Sequence, residues 1–514
     1  MITFLATAKT VTVGHCPAST LFQLRNYLKV PVANRWFAMK RARGNWDGTI
    51  AFLSSKNTFS RGLWRQVKYW LDENQLEYEL KQITPNLLPQ LANPIISPTL
   101  TLYDNQLAAL NKWLQYDGFG IVWAPPSFGK TELATAAIAT IKPKQALFLV
   151  NSRDLLLQAQ ERFELRLPGV KPGLIGDGEW APQRVTVAMV QSLFNVLKKK
   201  EHPNHARLKA LLTQTDLIIQ DEAHHGRSKQ IRTVLNAANP RYCLGLSARP
   251  FHVYDRNVQA MTAEDAIILA TLGPIVYRES TSELIDQGQL AKPHVLLVPI
   301  NHPLADGLSW PDARKQLYAN PTLTATVTTL TKAAADAGQA TLVITGSSLA
   351  FNHRLCKALV AAGVNAAELN GALNKETRAD ARLALNQDGL QAAVATTIFD
   401  EGVDIPNLRQ LILAYGGKSL IKVDQRLGRS LRKKRQGANT TVVVEFMSYG
   451  NKHLYQHSIT RLKRYIEESA YELYLIHPSE HSNYVRRLLK DKAQHLDALP
   501  TTDYYQRLAQ DATA

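Results

Sequence analysis

The chain has 514 residues, with 60 Lys and Arg against 43 Asp and Glu, and a formal net charge of +17. This length allows two to four domains with cores of their own, and the charge favours a polyanionic partner, with simple solubility as the competing explanation. Three widely spaced cysteines (Cys16, Cys243, Cys356) argue against a disulfide frame or zinc knuckle, and no apolar run approaches the roughly 18–20 residues of a membrane span.

The N-terminus lacks the charged-then-apolar pattern of a signal peptide, so the expected location is cytoplasmic, a host cytoplasm if the chain is phage-encoded. Residues 1–82 read as a small α+β module. Ile2 to Val13 is strand-like, and Ser19 is placed to cap a helix carrying Leu21, Leu24, Tyr27 and Leu28. Trp36 to Lys40 reads as a strand, and a turn at Gly44 to Gly48 leads into a second strand, Thr49 to Leu53. A further helix is expected from Leu63 to Leu71. Lys29, Arg35, Lys40, Arg41 and Arg43 crowd that turn beside Trp36 and Trp46. Cations among aromatics suit a nucleic-acid backbone with stacked bases, and equally suit a solvated basic face over a tryptophan core.

Residues 83–98 hold four prolines and no period, which predicts a linker. Tyr103, Gln106, Leu107, Leu110 and Leu114 then share one face of a helix. From 99 to 255 strand and helix alternate as in a doubly wound parallel sheet, with strands at 120–124, 146–150, 186–189, 217–220 and 242–246. A second such set occupies 301–449, with strands at 341–345, 366–369, 392–396, 410–414 and 441–446. Residues 256–300 are expected to be an irregular bridge. Residues 450–514 are expected to be a helical extension with Arg461, Lys463, Arg464, Arg486, Arg487 and Lys490 exposed.

The chemistry begins at Ala124-Pro125-Pro126-Ser127-Phe128-Gly129-Lys130-Thr131. A buried strand leads into it and a helix leaves it, so the helix's unpaired first N–H groups and positive end face the loop. Lys130 can reach terminal phosphates and the Thr131 hydroxyl can ligate Mg²⁺. Gly129 is the stretch's only glycine, and an ordinary strand–loop–helix corner is the alternative. Asp221-Glu222-Ala223-His224 follows the apolar Leu217-Ile218-Ile219. Paired carboxylates ending a buried strand are poor core design unless a cation sits there, and next to a phosphate loop Asp221 can hold Mg²⁺ while Glu222 polarises water. Gln425, Arg429 and Arg432 recur on one helical face. The arginines can neutralise charge developing on a γ-phosphate, or they belong to a nucleic-acid-facing basic helix. Lys433, Lys434 and Arg435 beside them fit backbone binding. Thr396 to Pro406 ends another strand in glycine and acids.

In this order, over about residues 98–450, these segments resemble the superfamily 2 helicases and translocases. Ala124–Thr131 resembles motif I, Asp221–His224 the DEAH form of motif II, Ser247–Arg249 motif III, Thr396–Pro406 motif V, and Gln425–Arg432 motif VI. The departures are the glycine-poor motif I and Arg249 where Thr is commoner. The resemblance implies α/β architecture with two tandem RecA-like parallel-sheet domains, the small N-terminal α+β domain and the helical C-terminal extension flanking them. It implies ATP and Mg²⁺ as cofactors, with Tyr103, Gln106, Gly402 and Asp404 joining motif I at the nucleotide. It implies nucleic-acid contacts at Asn151, Arg153, Gln191, Ser192, Gly346, Ser347 and Thr396. Arg43 to Gly48 before such a motor, and Ser127 within motif I, look like the phage UvsW-type branch-migration helicases. Leu272 to Tyr277 is similar to related repair and restriction motors. On that likeness Arg43 and Trp46 are candidates for DNA contact. The implied partner is branched or single-stranded DNA, with recombination or replication proteins as further candidates, and the implied state is a monomer. A duplex translocase, an RNA helicase and a non-catalytic DNA-binding protein are the rival readings.

Overall fold

Phe119–Trp123, Ala146–Val150, Leu217–Asp221 and Tyr242–Ser247 carry apolar residues without alternation. Each is buried along nearly its whole length, as strands covered on both faces must be. The computed structural model describes residues 1–33, 35, 39, 46–82, 101–238, 240–301, 308–371, 373, 375–387, 389–396, 405, 407–417, 419–434, 437–476, 483–489 and 492–510. Two compact units emerge, Met1–Ala124 with Phe128–Glu279, and Ser280–Ala514 with Pro125–Ser127.

In the first unit, β1 (Ile2–Ala6), β2 (Thr10–Val13), β3 (Lys29–Pro31), β4 (Thr49–Ala51), β5 (Thr58–Ser60) and β6 (Tyr78–Gln82) build the N-terminal module. A four-stranded sheet has the order β5-β2-β1-β6, with β6 returning parallel to β1, and β3 pairs with β4 apart from it. The strand-like stretch Ile2 to Val13 is a hairpin, turned where the Thr7 hydroxyl donates to the Thr10 carbonyl. The first helix begins at Ala18 after Pro17, so Ser19 lies inside it rather than capping it. Of the strand expected at Trp36–Lys40, only Met39 lies among the described residues, and it is helical.

The larger sheet of this unit uses β7 (Phe119–Trp123), β8 (Ala146–Val150), β9 (Gly173–Gly176), β10 (Glu179–Ala181), β11 (Val185–Met189), β12 (Leu217–Asp221), β13 (Tyr242–Ser247) and β14 (Ile275–Arg278). Among the described residues its order is β10-β9-β11-β8-β12-β13-β7-β14, parallel except for the β9–β10 hairpin. The N-terminal module is not strung beside this sheet. Its Phe4, Leu24, Leu63 and Leu71 share one core with Ile121, Ile231, Leu269 and Leu272. Lys9 Nζ donates to the carbonyls of Asn236 and Ala238, at 2.9 and 2.7 Å, where the helix Lys229–Ala237 ends. A cation suits that negative helix end. Gly62 makes the closest seam, where a Cβ would stand 2.1 Å from the Leu269 carbonyl oxygen.

The second unit is built on β15 (Lys292–Asn301), β16 (Thr341–Ile344), β17 (Ala366–Leu369), β18 (Ala392–Ala395), β19 (Gln410–Leu413), β20 (Thr440–Tyr449), β21 (Glu472–Ile476) and β22 (Ala493–Leu496). Among the described residues these form one parallel sheet in the order β17-β18-β16-β19-β20-β15-β21-β22. Three expectations are corrected. The segment 256–300 is regular, supplying β14 to one sheet and the start of β15 to the other. The C-terminal extension is not all helix, because β21 and β22 extend the second sheet. Arg461 and Arg464 are not exposed either. Arg461 is 2% exposed, its guanidinium 2.7 Å from Glu445, itself buried on β20. Arg464 bonds Asp424 at 2.8 Å and Glu468 at 2.7 Å. Buried carboxylates on strand and helix demanded cations, and the helix Lys452–Glu467 supplied them. Among the described residues no helix is long and apolar enough to cross a membrane.

Candidate active site

In the first unit each candidate segment follows the carboxyl end of a parallel strand. Gln191 and Ser192 come after β11, Asn151 to Arg153 after β8, Asp221 and Glu222 at and after β12, Ser247 to Arg249 at and after β13, and Ala124 and Phe128 to Thr131 after β7. Because these strands are neighbours in the order β11-β8-β12-β13-β7, the segments lie in that order along one rim. Ligands of open α/β sheets gather at this rim.

The loop after β7 is shaped by two left-handed residues, Ser127 at φ 68° and Gly129 at φ 86°, before the helix Lys130–Ile141 begins. Glycine is needed at the second for a further reason, since a Cβ there would stand 2.3 Å from Gln106 Nε2. Gln106 is buried and used at both ends. Its Nε2 donates to the Phe128 carbonyl at 2.7 Å and its Oε1 accepts from the Tyr103 N–H at 3.0 Å. The glutamine thus ties the start of its helix to the loop, and Tyr103 stays exposed beside it. Pro125 is buried, and Pro126 and Thr131 are half-buried. Lys130 Nζ lies 3.3 Å from the Ala124 carbonyl it donates to. Burial lowers its pKa, and the charges of Glu222 and Asp221 pull the other way.

Burial, then the neighbouring Glu222, push Asp221 up to about 7. A carboxyl group that resists charging because its neighbour is a carboxylate, beside a half-buried lysine, fits a site built for a cation and a phosphate. Among the described residues no cluster of three or more His, Cys, Asp or Glu could hold a metal alone. Mg²⁺ does not require one, because it takes one or two carboxylates and fills its shell with water and substrate phosphate oxygens. Glu222 sits at φ 52°, a left-handed conformation rare outside glycine, with its N–H donating to Asp221 Oδ1 at 3.0 Å. That kink turns the chain from strand to the short helix Ala223–Arg227. His224 is buried with Nδ1 3.2 Å from Glu222 Oε2 and 3.3 Å from Ser247 Oγ, and Ser247 Oγ accepts from the Arg249 N–H at 3.3 Å. Histidine therefore links the acid pair to the segment after β13, a connection that spacing alone does not reveal.

The candidate nucleic-acid residues of this unit are differently disposed. Asn151 is exposed, and Arg153 is exposed but ion-paired with Asp177. Gln191 is exposed and donates to Asn195 Oδ1 at 2.9 Å, with half-buried Ser192 beside it. Trp46 is 38% exposed, its indole N–H held by the Thr49 carbonyl at 2.8 Å. Arg43 lies outside the described residues.

In the second unit Gly346 (φ 72°) and exposed Ser347 follow β16, and buried Thr396 follows β18 with its N–H on the Leu369 carbonyl. Gly402 and Asp404 lie outside the described residues. The helix Leu420–Ser430 carries Gln425 and Arg429, whose side chains lie outside the description, and Arg432 follows it half-buried. The arginine between them is structural: Arg426 is 2% exposed and its guanidinium stands 4.0 Å from the Tyr415 ring centroid. Lys434 corrects the backbone-binding expectation. It is buried, and its Nζ donates to the Ser430 and Leu408 carbonyls, at 2.6 and 2.5 Å, capping the end of that helix. Lys433 is exposed.

The family profile "Type III restriction enzyme, res subunit" matches residues 99–252, and "Helicase conserved C-terminal domain" matches 325–434. The DNA 3'-5' translocase XPB2 of Sulfurisphaera tokodaii is 25% identical over 427 residues, covering 75% of this chain and 89% of its own. The ATP-dependent DNA helicase uvsW of Enterobacteria phage T4 is 23% identical over 503 residues, covering 88% and 95%. Among solved structures, the ATP-dependent type ISP restriction-modification enzyme LlaBIII bound to DNA superposes with a TM-score of 0.56. It is 14% identical and covers 80% of this chain and 32% of that one, a likeness of fold.

Proposed function

From the premise that this chain is a superfamily 2 ATP-dependent helicase with the two RecA-like domains of that family, we propose that it unwinds or branch-migrates forked and junction DNA. The observation that carries the reading is the rim of the first motor sheet, where Lys130 and the Asp221–Glu222 pair converge between the segments after β7 and β8. Lys130 would hold the terminal phosphates there, and Thr131 and Asp221 would hold Mg²⁺. The ion would polarise phosphate oxygens and screen their charge. Glu222 orients the attacking water and takes its proton. Gln106, already bonded to the phosphate loop, positions that loop and reads the adenine. Arg429 and Arg432 are the proposed donors to charge developing on the γ-phosphate, on the strength of their motif VI spacing. Asn151, Arg153, Gln191, Ser192, Gly346, Ser347 and Thr396 grip one strand by its backbone, largely independent of sequence. His224 and Ser247 couple hydrolysis to that grip, lying between the acid pair and the segment after β13.

The test is ATPase and strand separation on forked, four-way-junction and blunt duplexes. Separation of forks with ATP, lost in Lys130→Ala while DNA still binds, supports the reading. Retained turnover in that variant removes it. A second reading, a duplex translocase without strand separation, is favoured by the relative named as a DNA translocase. It predicts ATP-driven displacement of a third strand from a triplex, with fork strands left paired.

A further inference from the structure

A cavity of about 370 Å³ opens between the N-terminal module and the first motor sheet, within the range of about 300–1,000 Å³ typical of ligand sites. The helix Trp64–Glu73 and the start of β7 wall it. Three cations line it, Arg61, Arg65 and Lys68, against one acid, Asp117. That acid is already answered, because Arg61 is ion-paired to it at 2.9 Å and stands 5.3 Å from the Phe119 ring centroid. Arg65 and Lys68 remain as surplus charge, three residues apart on one helix and both exposed. The Arg65 guanidinium is 5.8 Å from the ring centroid of Tyr116, itself 39% exposed. Trp64 lines the same space, held edge-on by Phe4 and Tyr78.

An apolar ligand would strip water from two cations without replacing it. A bare inorganic anion would leave the aromatic wall unused. A phosphate joined to a planar base satisfies both halves, since cations track the phosphate and aromatic faces stack the base. We propose that this cavity takes one nucleotide of a DNA strand, with Arg65 and Lys68 on the phosphate and Trp64 and Tyr116 on the base. The proposal rests on the chain being a DNA motor. Phe119 opens the strand whose other end leads into the phosphate loop, so the cavity lies at the opposite edge of the sheet from the hydrolysis rim. The five residues of β7 separate the two by about 13 Å. A strand held here is a second contact, apart from the one gripped along the rim.

The experiment uses the full chain and oligonucleotides carrying 5-iodouracil, photo-crosslinked and mapped by mass spectrometry, beside fluorescence anisotropy at several salt concentrations. Crosslinks at Trp64 or Tyr116 are expected. Arg65→Glu with Lys68→Glu should weaken DNA binding about tenfold and lower the slope of log Kd against log salt by about 1–2. The melting temperature should change little, because both side chains are exposed and Arg65 gives up only its contact with Tyr116 and its bond to the Ile275 carbonyl. Unchanged affinity and slope, or crosslinks confined to other peptides, overturn the proposal. So does labelling of the cavity by an azido-adenosine monophosphate when DNA gives no crosslink there, which would make the occupant a free nucleotide. If wild-type ATPase is not stimulated by DNA at all, the motor reading fails instead, and the two failures are told apart.

Discussion

Glu222 holds a backbone conformation that costs a non-glycine residue on the order of 1–3 kcal/mol, and it does so next to a carboxylate. Such strain persists where the surroundings dictate the placement of the side chain. Glu222→Gln keeps shape and removes charge, so it should retain ATP binding and lose about 10²–10⁴ in turnover, read by single-turnover hydrolysis. A turnover number within a few-fold of wild type would free Glu222 from the base role. Arg429→Ala should bind nucleotide nearly as before and lose about 10³ in turnover, measured by nucleotide titration beside steady-state ATPase. Arg461 belongs to a different account. Its pair with Glu445 is fully buried, so Arg461→Ala leaves a lone charge inside the second sheet and should cost about 3–5 kcal/mol in denaturant unfolding. Residue types with fixed spacing, such as Lys130, Thr131, Asp221 and Glu222, were legible in the chain. Arg461, Arg464 and Lys434 were not. A basic residue on a helix looks solvated until the fold brings it a partner from another element, as β20 brings Glu445 and the loop before β19 brings the Leu408 carbonyl.

At the scale of elements, strands buried on both faces announce themselves by unbroken apolar runs, and β8, β18 and the body of the motor sheets were readable for that reason. The outer strands were harder. β14 is four residues of mixed character and β22 reads Ala-Gln-His-Leu, half-exposed, so neither carries a run that composition can distinguish from a loop. Only pairing with a neighbour makes them strands. The seam at Gly62 is equally invisible in one dimension, since its constraint comes from a carbonyl more than two hundred positions away. Gly62→Val should cost about 1–3 kcal/mol through overpacking against Leu269, seen as a lower unfolding midpoint. An unmoved midpoint would mean that the two layers slide apart there at little expense.

Across the whole molecule, the net charge of +17 gains meaning from where the cations are. Arg461, Arg464, Arg426 and Lys434 are consumed inside the second unit, while Arg65, Lys68 and Lys433 face outward. Binding to DNA should therefore weaken steeply with salt, by fewer counterions than the raw total suggests. A slope approaching the full formal charge would contradict that division. The N-terminal module shares its interior with the first motor sheet through Phe4, Leu24 and Leu63. The peptide between positions 82 and 101 is thus redundant as a fastener. A protease that severs it should yield a nicked protein that still elutes as one species at its original size, and parts into two fragments only when denaturant dissolves the common interior.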